Sequence, residues 1–208
     1  MRLRRRFSLA FLLFSAAAHA QVIEFESGGL KYKTLTRNGV TIMYAPLQIR
    51  VRDYAILEIA ISNGSPISWA IRPEDFRFER ADGQSIQALP ARTVVDNLRD
   101  KGSRGDLIRL VNAYEGGLYG QNQIHSTNGY EARRQNAMAD LGSTKLKAAA
   151  TASALALVLT KLLPGQSTDG AIFYQNQGKP LGPGHLIVNA AAETFVFPVD
   201  EPAGHKTQ

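Results

Sequence analysis

The chain has 208 residues, with 24 Lys and Arg against 18 Asp and Glu, a formal net charge of +6, and no cysteine. Four of the basic residues lie in residues 1–20, which leaves 20 basic and 18 acidic residues beyond that segment. This near balance gives no support for nucleic-acid binding, for which a basic face is expected. The lack of cysteine excludes disulfides, thiol catalysis and thiolate metal sites.

Residues 1–20 are typical of a secretory signal peptide. They have a cationic head, an apolar run over residues 9–14, and an A-x-A motif at residues 18–20. The run is shorter than the ~20 residues that a membrane-spanning helix needs. We therefore expect cleavage near Ala20 and Gln21, no transmembrane span in the mature chain, and a periplasmic or extracellular location.

Residues 30–88 alternate apolar and polar side chains between turn motifs, which predicts short antiparallel strands. Asn38 and Gly39 separate two such runs and favour the positive φ angles of a two-residue hairpin turn. Asp82 and Gly83 predict a second hairpin. The side chains expected in the core are Leu57, Ile59, Ile61, Phe76, Phe78 and the single tryptophan, Trp69.

Residues 164–198 repeat this pattern near the other end of the chain. The runs "TDGAIFYQ", "HLIVNA" and "ETFVFPV" predict further strands, with Phe195 and Phe197 on a buried face. A few strands with one apolar face need a second sheet to cover that face. We therefore expect residues 21–208 to form a single domain, a mainly β fold in which seven to nine strands build an antiparallel β-sandwich.

Residues 90–163 have a different composition and predict a mostly helical insertion into the sandwich. Two helical stripes are visible, and residues 130–161 are rich in good helix formers. Residues 115–129 are rich in Gly, Asn and Gln and predict a loop. The residues of the two stripes are Val94, Val95 and Leu98, and then Leu107, Leu110 and Val111.

The apolar stretch "AAATASALALVL", residues 148–159, permits three interpretations. As a helix it would cover ~18 Å, too short for a hydrocarbon core of ~30 Å. We favour a helix packed on the sandwich, with the last residues able to extend into a strand. The alternatives are a partner or self-association surface and an interfacial membrane contact. The last is the weakest, because an interfacial helix needs a charged face and apolar residues here lie nearly all round.

Two segments resemble immunoglobulin-like domains of uncharacterised exported bacterial proteins. They are "LEIAISNGSPISWAIRPEDFRFERADGQSIQAL" and "LLPGQSTDGAIFYQNQGKPLGPGHLIVNAAAETFVFPV". The shared features are a strand ending in Asn and a small residue, a proline ahead of an aromatic strand, and a "PGQS" turn before a later strand. The resemblance covers residues 54–88 and 162–198. It implies an immunoglobulin-like sandwich in an envelope or extracellular setting, and no activity or functional residues.

Residues able to carry out catalysis or bind metal are few. The histidines beyond residue 20 lack the spacing of metal ligands, so we predict no metal site and no cofactor. Glu74 and Asp75 form a carboxylate pair of the kind that hydrolases use, but their position after a proline favours a turn or a cap. The three histidines are His125, His185 and His205.

We predict a non-enzymatic binding or assembly module of the cell envelope, with no catalytic residues. The helical insertion and the loop at 115–129 would contact an envelope protein or a second copy of the chain, because binding residues concentrate on loops of a rigid scaffold. The alternative is a hydrolase of an envelope polymer that uses Glu74 or Asp75 with His125. The candidate partner-binding residues are Tyr114, Tyr119, Tyr130, Leu155 and Leu159.

Overall fold

The computed structural model describes residues 21–27, 29–47, 49, 51–110 and 143–200, and this part of the chain is mainly β. It contains eleven strands, and all strand pairs within its sheets are antiparallel. The strands are β1 (Ile23–Ser27), β2 (Leu30–Arg37), β3 (Val40–Pro46), β4 (Tyr54–Asn63), β5 (Trp69–Ile71), β6 (Phe76–Arg80), β7 (Ser85–Gln87), β8 (Thr160–Leu162), β9 (Ser167–Gln175), β10 (Gly184–Ala190) and β11 (Glu193–Val199).

The described helices lie in the insertion that the sequence predicts to be helical. They are α1 (Ala91–Lys101), α2 (residues 104–110) and α3 (Thr144–Leu155). The α3 helix begins with a side-chain cap, since Ser143 Oγ accepts the Leu146 backbone N–H at 3.2 Å. A short 3-10 helix, Pro73–Asp75, precedes β6. None of the helices in the described ranges has the length and apolar character to cross a membrane.

Both predicted hairpins are confirmed. Arg37 pairs with Val40, and the two turn residues between them, Asn38 and Gly39, have φ angles of 46° and 79°. These positive values define a tight turn that matches the twist of the flanking strands. The second hairpin joins β6 to β7 through Gly83, which has φ 86°.

Two sheets face each other across the main hydrophobic core. The five-stranded sheet has the order β1-β2-β3-β4-β9, and the four-stranded sheet has the order β11-β10-β6-β7. Rings from the two sheets meet edge to face, with centroids 5.2 Å apart for Tyr44 and Phe197 and 6.4 Å apart for Phe78 and Tyr174. The N-terminal and C-terminal β-rich parts of the chain therefore share one core.

The two facing sheets contain nine strands, within the predicted seven to nine, and the β5–β8 ribbon brings the total for the described part of the chain to eleven. The strands that the sequence pattern did not mark are short or lie at edges, where alternation over a few residues gives a weak signal. They include β1 at the edge of the five-stranded sheet, and β5 and β8, which form a separate two-stranded ribbon. Trp69, expected in the core, is half-buried on this ribbon and packs against the core.

A helical layer covers the outer face of β4 and β9, which are buried on both sides. Phe173 and Ala171 on β9 pack in a second core with Val94 and Leu98 of α1. The small side chains of α3 let it approach the sheet closely, and the remaining contributors from α3 are Ala149, Ala152 and Leu155. This part of the fold therefore has three layers: helices, the five-stranded sheet and the four-stranded sheet.

The favoured interpretation of residues 148–159 agrees with the structure. The α3 helix ends at Leu155, and the following chain is extended along β9, where the Leu157 N–H donates to Ala171 O at 2.8 Å. Leu157 is buried in the main core and Leu159 is exposed. Residues 148–155 of the stretch thus belong to a packed helix and residues 156–159 to an extended segment, a change of backbone conformation that periodicity could not decide.

Two tyrosines lie in the interior between the sheets. Burial raises the pKa of Tyr174 well above the usual tyrosine value, and burial also raises the pKa of Tyr44. Among the described residues nothing accepts or donates a hydrogen bond at the Tyr174 hydroxyl. Both phenols are therefore neutral in the folded chain at ordinary pH.

Candidate functional site

One end of the described fold gathers several turns and short connections, which we call the turn end. It consists of residues 38–39, 63–75, 159 and 190–194. The β2–β3 turn links its parts, because the Gly64 N–H donates to Gly39 O at 2.8 Å and Asn38 Nδ2 donates to Glu193 Oε1. The turn end therefore holds segments from both sheets and from the β5–β8 ribbon.

Asn63, the last residue of β4, links the turn that follows this strand to the β5–β8 ribbon. Its side chain is fully buried, and its Nδ2 donates to Ile67 O at 2.8 Å and to Leu162 O at 3.2 Å. Its Oδ1 accepts from the backbone N–H and the hydroxyl of Ser65, at 3.1 and 2.6 Å. One amide thus satisfies four polar groups that the surrounding strands leave unpaired.

A pocket of about 490 Å³ opens at the turn end. Its volume falls within the range of roughly 300–1,000 Å³ that is usual for small-ligand sites. The lining combines methyl groups and one exposed leucine with a guanidinium and two carboxylates. The lining residues are Ala70, Arg72, Asp75, Leu159, Asn189, Ala190, Ala191, Ala192, Glu193 and Thr194.

Asp75 holds the guanidinium of Arg72 from one side. Asp75 Oδ2 accepts the Arg72 backbone N–H at 3.0 Å, and Asp75 Oδ1 accepts Arg72 Nε at 3.2 Å. No hydrogen bond or ion pair among the described residues uses the terminal nitrogens of Arg72, whose side chain is 61% exposed. Asp75 therefore acts as the cap that its position after Pro73 predicted, and Glu74 beside it is exposed.

The β10–β11 turn places two strained residues in the pocket wall. Ala190 pairs with Glu193, and the two residues between them, Ala191 and Ala192, have φ angles of 51° and 62°. A left-handed conformation costs a residue with a Cβ about 1–2 kcal/mol. Because strained backbone concentrates at functional sites, this turn marks the pocket as the candidate site.

Replacing Ala192 by glycine will raise the free energy of unfolding by about 1 kcal/mol, since glycine adopts positive φ without a steric penalty. Urea unfolding of a purified protein of residues 21–208 measures the change. Ala70→Gly is the matched control, because Ala70 lines the same pocket within a strand and is not at positive φ. Its glycine variant should be less stable than the parent, and equal destabilisation by both changes would contradict strain in the turn.

The structure places the predicted partner-binding residues in different surroundings. Leu159 is 69% exposed and lines the pocket. Leu155 is 6% exposed in the second core, so its side chain is turned inward and is not available to a partner. The other predicted residues lie outside the described part of the chain: Tyr114, Tyr119, Tyr130, His125, His205 and the loop at 115–129.

Sequence reasoning missed most of the pocket. Arg72 carries no motif, and "NAAAET" lacks the Asn-Gly signature that marks a two-residue turn. His185 lies exposed on β10 outside the pocket lining. Within the described ranges no group of three or more His, Asp or Glu is arranged to hold a metal ion.

Comparisons with known proteins provide no family. No protein-family model matches the chain, and no curated protein matches it. Among solved structures, the chain is similar to the crystal structure of the yjhA protein from Bacillus subtilis, with a TM-score of 0.36 and 11% sequence identity. The similarity covers 86% of this chain and 96% of that chain. Neither a fold nor a function is transferred on a similarity of this size.

Proposed function

We propose that the protein is a non-enzymatic, exported binding module of the bacterial cell envelope that contacts its partner at the turn end. The observation that carries this proposal is the pocket of about 490 Å³ with Leu159, 69% exposed, in its lining. A concave site whose apolar lining includes a few convergent polar groups is the usual setting for binding. Residues from three separate segments, 70–75, 159 and 189–194, line the pocket, as binding loops do on a rigid scaffold.

Export and the immunoglobulin-like assignment are further parts of this proposal. Export rests on the signal-peptide pattern of residues 1–20. Two facing antiparallel sheets with a shared core support an immunoglobulin-like sandwich. The consecutive order β1-β2-β3-β4 differs from the ABED order of immunoglobulin constant domains, so the relationship would be one of architecture.

The hydrolase alternative is the weaker one. Both oxygens of Asp75 accept hydrogen bonds from Arg72, which gives this carboxylate a structural task. Glu74 is exposed and does not line the pocket. If Glu74→Gln together with His125→Ala abolished the cellular function of a protein that remained folded, an enzyme would replace the binding module. Asp75 is left unchanged in this test because its loss would disturb the cap.

Photo-cross-linking in intact cells tests the binding module. A photo-reactive phenylalanine analogue in place of Leu159 should give one discrete adduct with an envelope protein or with a second copy of the chain. The control carries the same analogue in place of Val196, which is 40% exposed on β11 and does not line the pocket. The adduct should be absent there.

Two outcomes decide against the proposal. Identical adducts at both positions would show contact without specificity, and no adduct at position 159 in a folded, exported protein would remove the turn end as an interaction site. A second variant lacking residues 115–129 locates the surface further. If the adduct at position 159 persists in that variant, the turn end binds independently of this loop, whereas its loss would show that the loop is required.

A further inference from the structure

We propose that the pocket at the turn end binds an aliphatic carboxylate, and that its source is the C-terminal residue of an extended peptide. The inference rests on the proposed binding function and names the chemistry of the ligand. It follows from the placement of one incompletely used guanidinium, two backbone N–H groups and one exposed leucine around a single pocket. The anionic group and the apolar group of the ligand are recognised by different parts of this lining.

Arg72 provides the anion-binding part. Asp75 accepts hydrogen bonds from the Nε and from the backbone N–H of Arg72. Both terminal nitrogens of Arg72 have no partner among the described residues. The planar guanidinium fork matches a carboxylate in a bidentate arrangement. Because Asp75 fixes the base of the fork, the donor is oriented before a ligand arrives, which lowers the entropy lost on binding.

The β10–β11 turn adds donors to the same pocket. No hydrogen bond among the described residues takes the backbone N–H of Ala191 or Ala192. Backbone N–H groups are known to take part in the capture of C-terminal carboxylates. The left-handed conformation of these two alanines fixes the backbone of the turn where it forms the pocket wall.

The neighbouring acidic groups restrict the charge of the ligand. Asp75 is committed to Arg72, and Glu193 accepts from Asn38. The lining nevertheless holds two carboxylates against one guanidinium, so a dianion such as phosphate would be repelled more strongly than a monoanion. The net charge of the lining opposes any anion, and a monoanion bound directly at Arg72 is repelled less than a dianion.

The apolar part of the lining favours a ligand whose carboxylate is attached to an aliphatic group. Leu159 is exposed without a ligand, and the other apolar contributors, Ala70 and Ala190 to Ala192, are small. Small side chains leave room for an aliphatic group, and Leu159 gains burial when that group covers it. A leucine or valine at the end of a peptide offers both the carboxylate and the aliphatic group at the required short separation.

Fluorescence of Trp69 provides the assay with the purified mature chain. Trp69 is the only tryptophan and precedes Ala70 in the pocket lining, so its emission reports on the pocket. The probe is an acetylated tetrapeptide ending in leucine with a free carboxylate, compared with the same peptide as its C-terminal amide. We expect the acid to bind at least about tenfold more tightly than the amide, since the charge-assisted hydrogen bonds are lost in the amide.

Hexanoate and inorganic phosphate distinguish the possible ligands. Hexanoate should bind more weakly than the peptide acid, and phosphate should not compete with it. If hexanoate binds more tightly than the peptide acid, the source is a free small carboxylate and the peptide part of the proposal is overturned. Equal binding of acid and amide, or saturation by neither up to roughly millimolar concentration, overturns the proposal.

Arg72→Lys and Arg77→Lys form a matched pair of variants. Lysine keeps the charge at position 72 and removes the planar fork, so acid affinity should fall about tenfold while amide affinity stays constant. Arg77 is also paired with a carboxylate, Glu79 at 2.8 Å, but does not line the pocket. Its variant should bind like the parent, and equal losses in both variants would contradict recognition by Arg72.

The two proposals fail in different ways. A specific cross-link at position 159 without any preference for peptide acid over amide would leave the binding module and overturn only the carboxylate ligand. A preference for the acid in the purified chain, without a cross-link in cells, would keep the ligand chemistry and overturn the envelope partner.

Discussion

Replacing Asn63 by alanine will lower the free energy of unfolding by about 3 kcal/mol, because several buried polar groups lose their hydrogen-bond partner together. The side-chain amide donates to Ile67 O and Leu162 O and accepts two hydrogen bonds from Ser65. Alanine leaves Leu162 O and the Ser65 backbone N–H buried without these partners, whereas Ser65 Oγ can still donate to Ile67 O at 3.2 Å. Urea unfolding of residues 21–208, with the m-value checked for two-state behaviour, measures the loss.

Asn189→Ala is the control for this variant. Asn189 accepts one hydrogen bond from Thr194 Oγ1 at 3.0 Å across an exposed hairpin. Its loss should cost less than about 1 kcal/mol, because water replaces the partner at the surface. Similar losses for the two variants would show that Asn63 does not hold the turn end together.

Asn63→Asp adds a pH dependence with a defined sign. A carboxylate in this position would face two carbonyl oxygens, so burial and repulsion would raise its pKa above the unfolded value. A raised pKa contributes stability only at acidic pH, and this contribution is lost as the pH rises through the folded-state pKa. The aspartate variant should therefore approach the parent at acidic pH, whereas the alanine variant should remain less stable by a similar amount.

Phe173→Ala will lower the free energy of unfolding by about 4 kcal/mol, the range for removing a large aromatic side chain from a packed core. Phe173 is buried on the outer face of β9, and its ring meets that of Tyr54 edge to face with centroids 5.8 Å apart. Its surroundings include α1 and α3. Thermal and urea unfolding of residues 21–208 measure the change.

Tyr174→Phe is the control, because Tyr174 packs in the main core on the opposite face of β9 from Phe173. It retains the ring in the main core and removes a buried hydroxyl that has no partner among the described residues. We expect a change within about 1 kcal/mol of the parent, toward higher stability. If Phe173→Ala also changed the stability by less than about 1 kcal/mol, the helical layer would not cover this face of the sheet.

Local sequence signals predicted the regular elements well. Asn38 and Gly39 specify their hairpin because their preference for positive φ is a property of the two residues themselves. Phe76 and Phe78 alternate with polar residues, and both are buried in β6 as expected. Val94 and Leu98 likewise face the sheet from α1. Each of these features depends on residues within a few positions of one another.

The candidate site could not be predicted in the same way. Arg72, Leu159 and Ala191 are separated by tens of residues, and no pattern in the chain relates them. Leu155 and Leu159 belong to one apolar stretch and look equivalent in sequence, yet one is buried in the second core and the other is exposed in the pocket. The difference arises because the helix ends between them and the chain continues along β9.

The sequence by itself determined the β-rich composition of the two end parts, the tight hairpins and the helical character of the described insertion, since these follow from local backbone preferences and side-chain alternation. The tertiary structure alone decided that β4 pairs with β9 across the insertion, that helices cover their outer face, and that three distant segments meet at the pocket. Such contacts depend on which buried surfaces fit together, because long-range pairing is selected by packing and by the hydrogen bonds it satisfies.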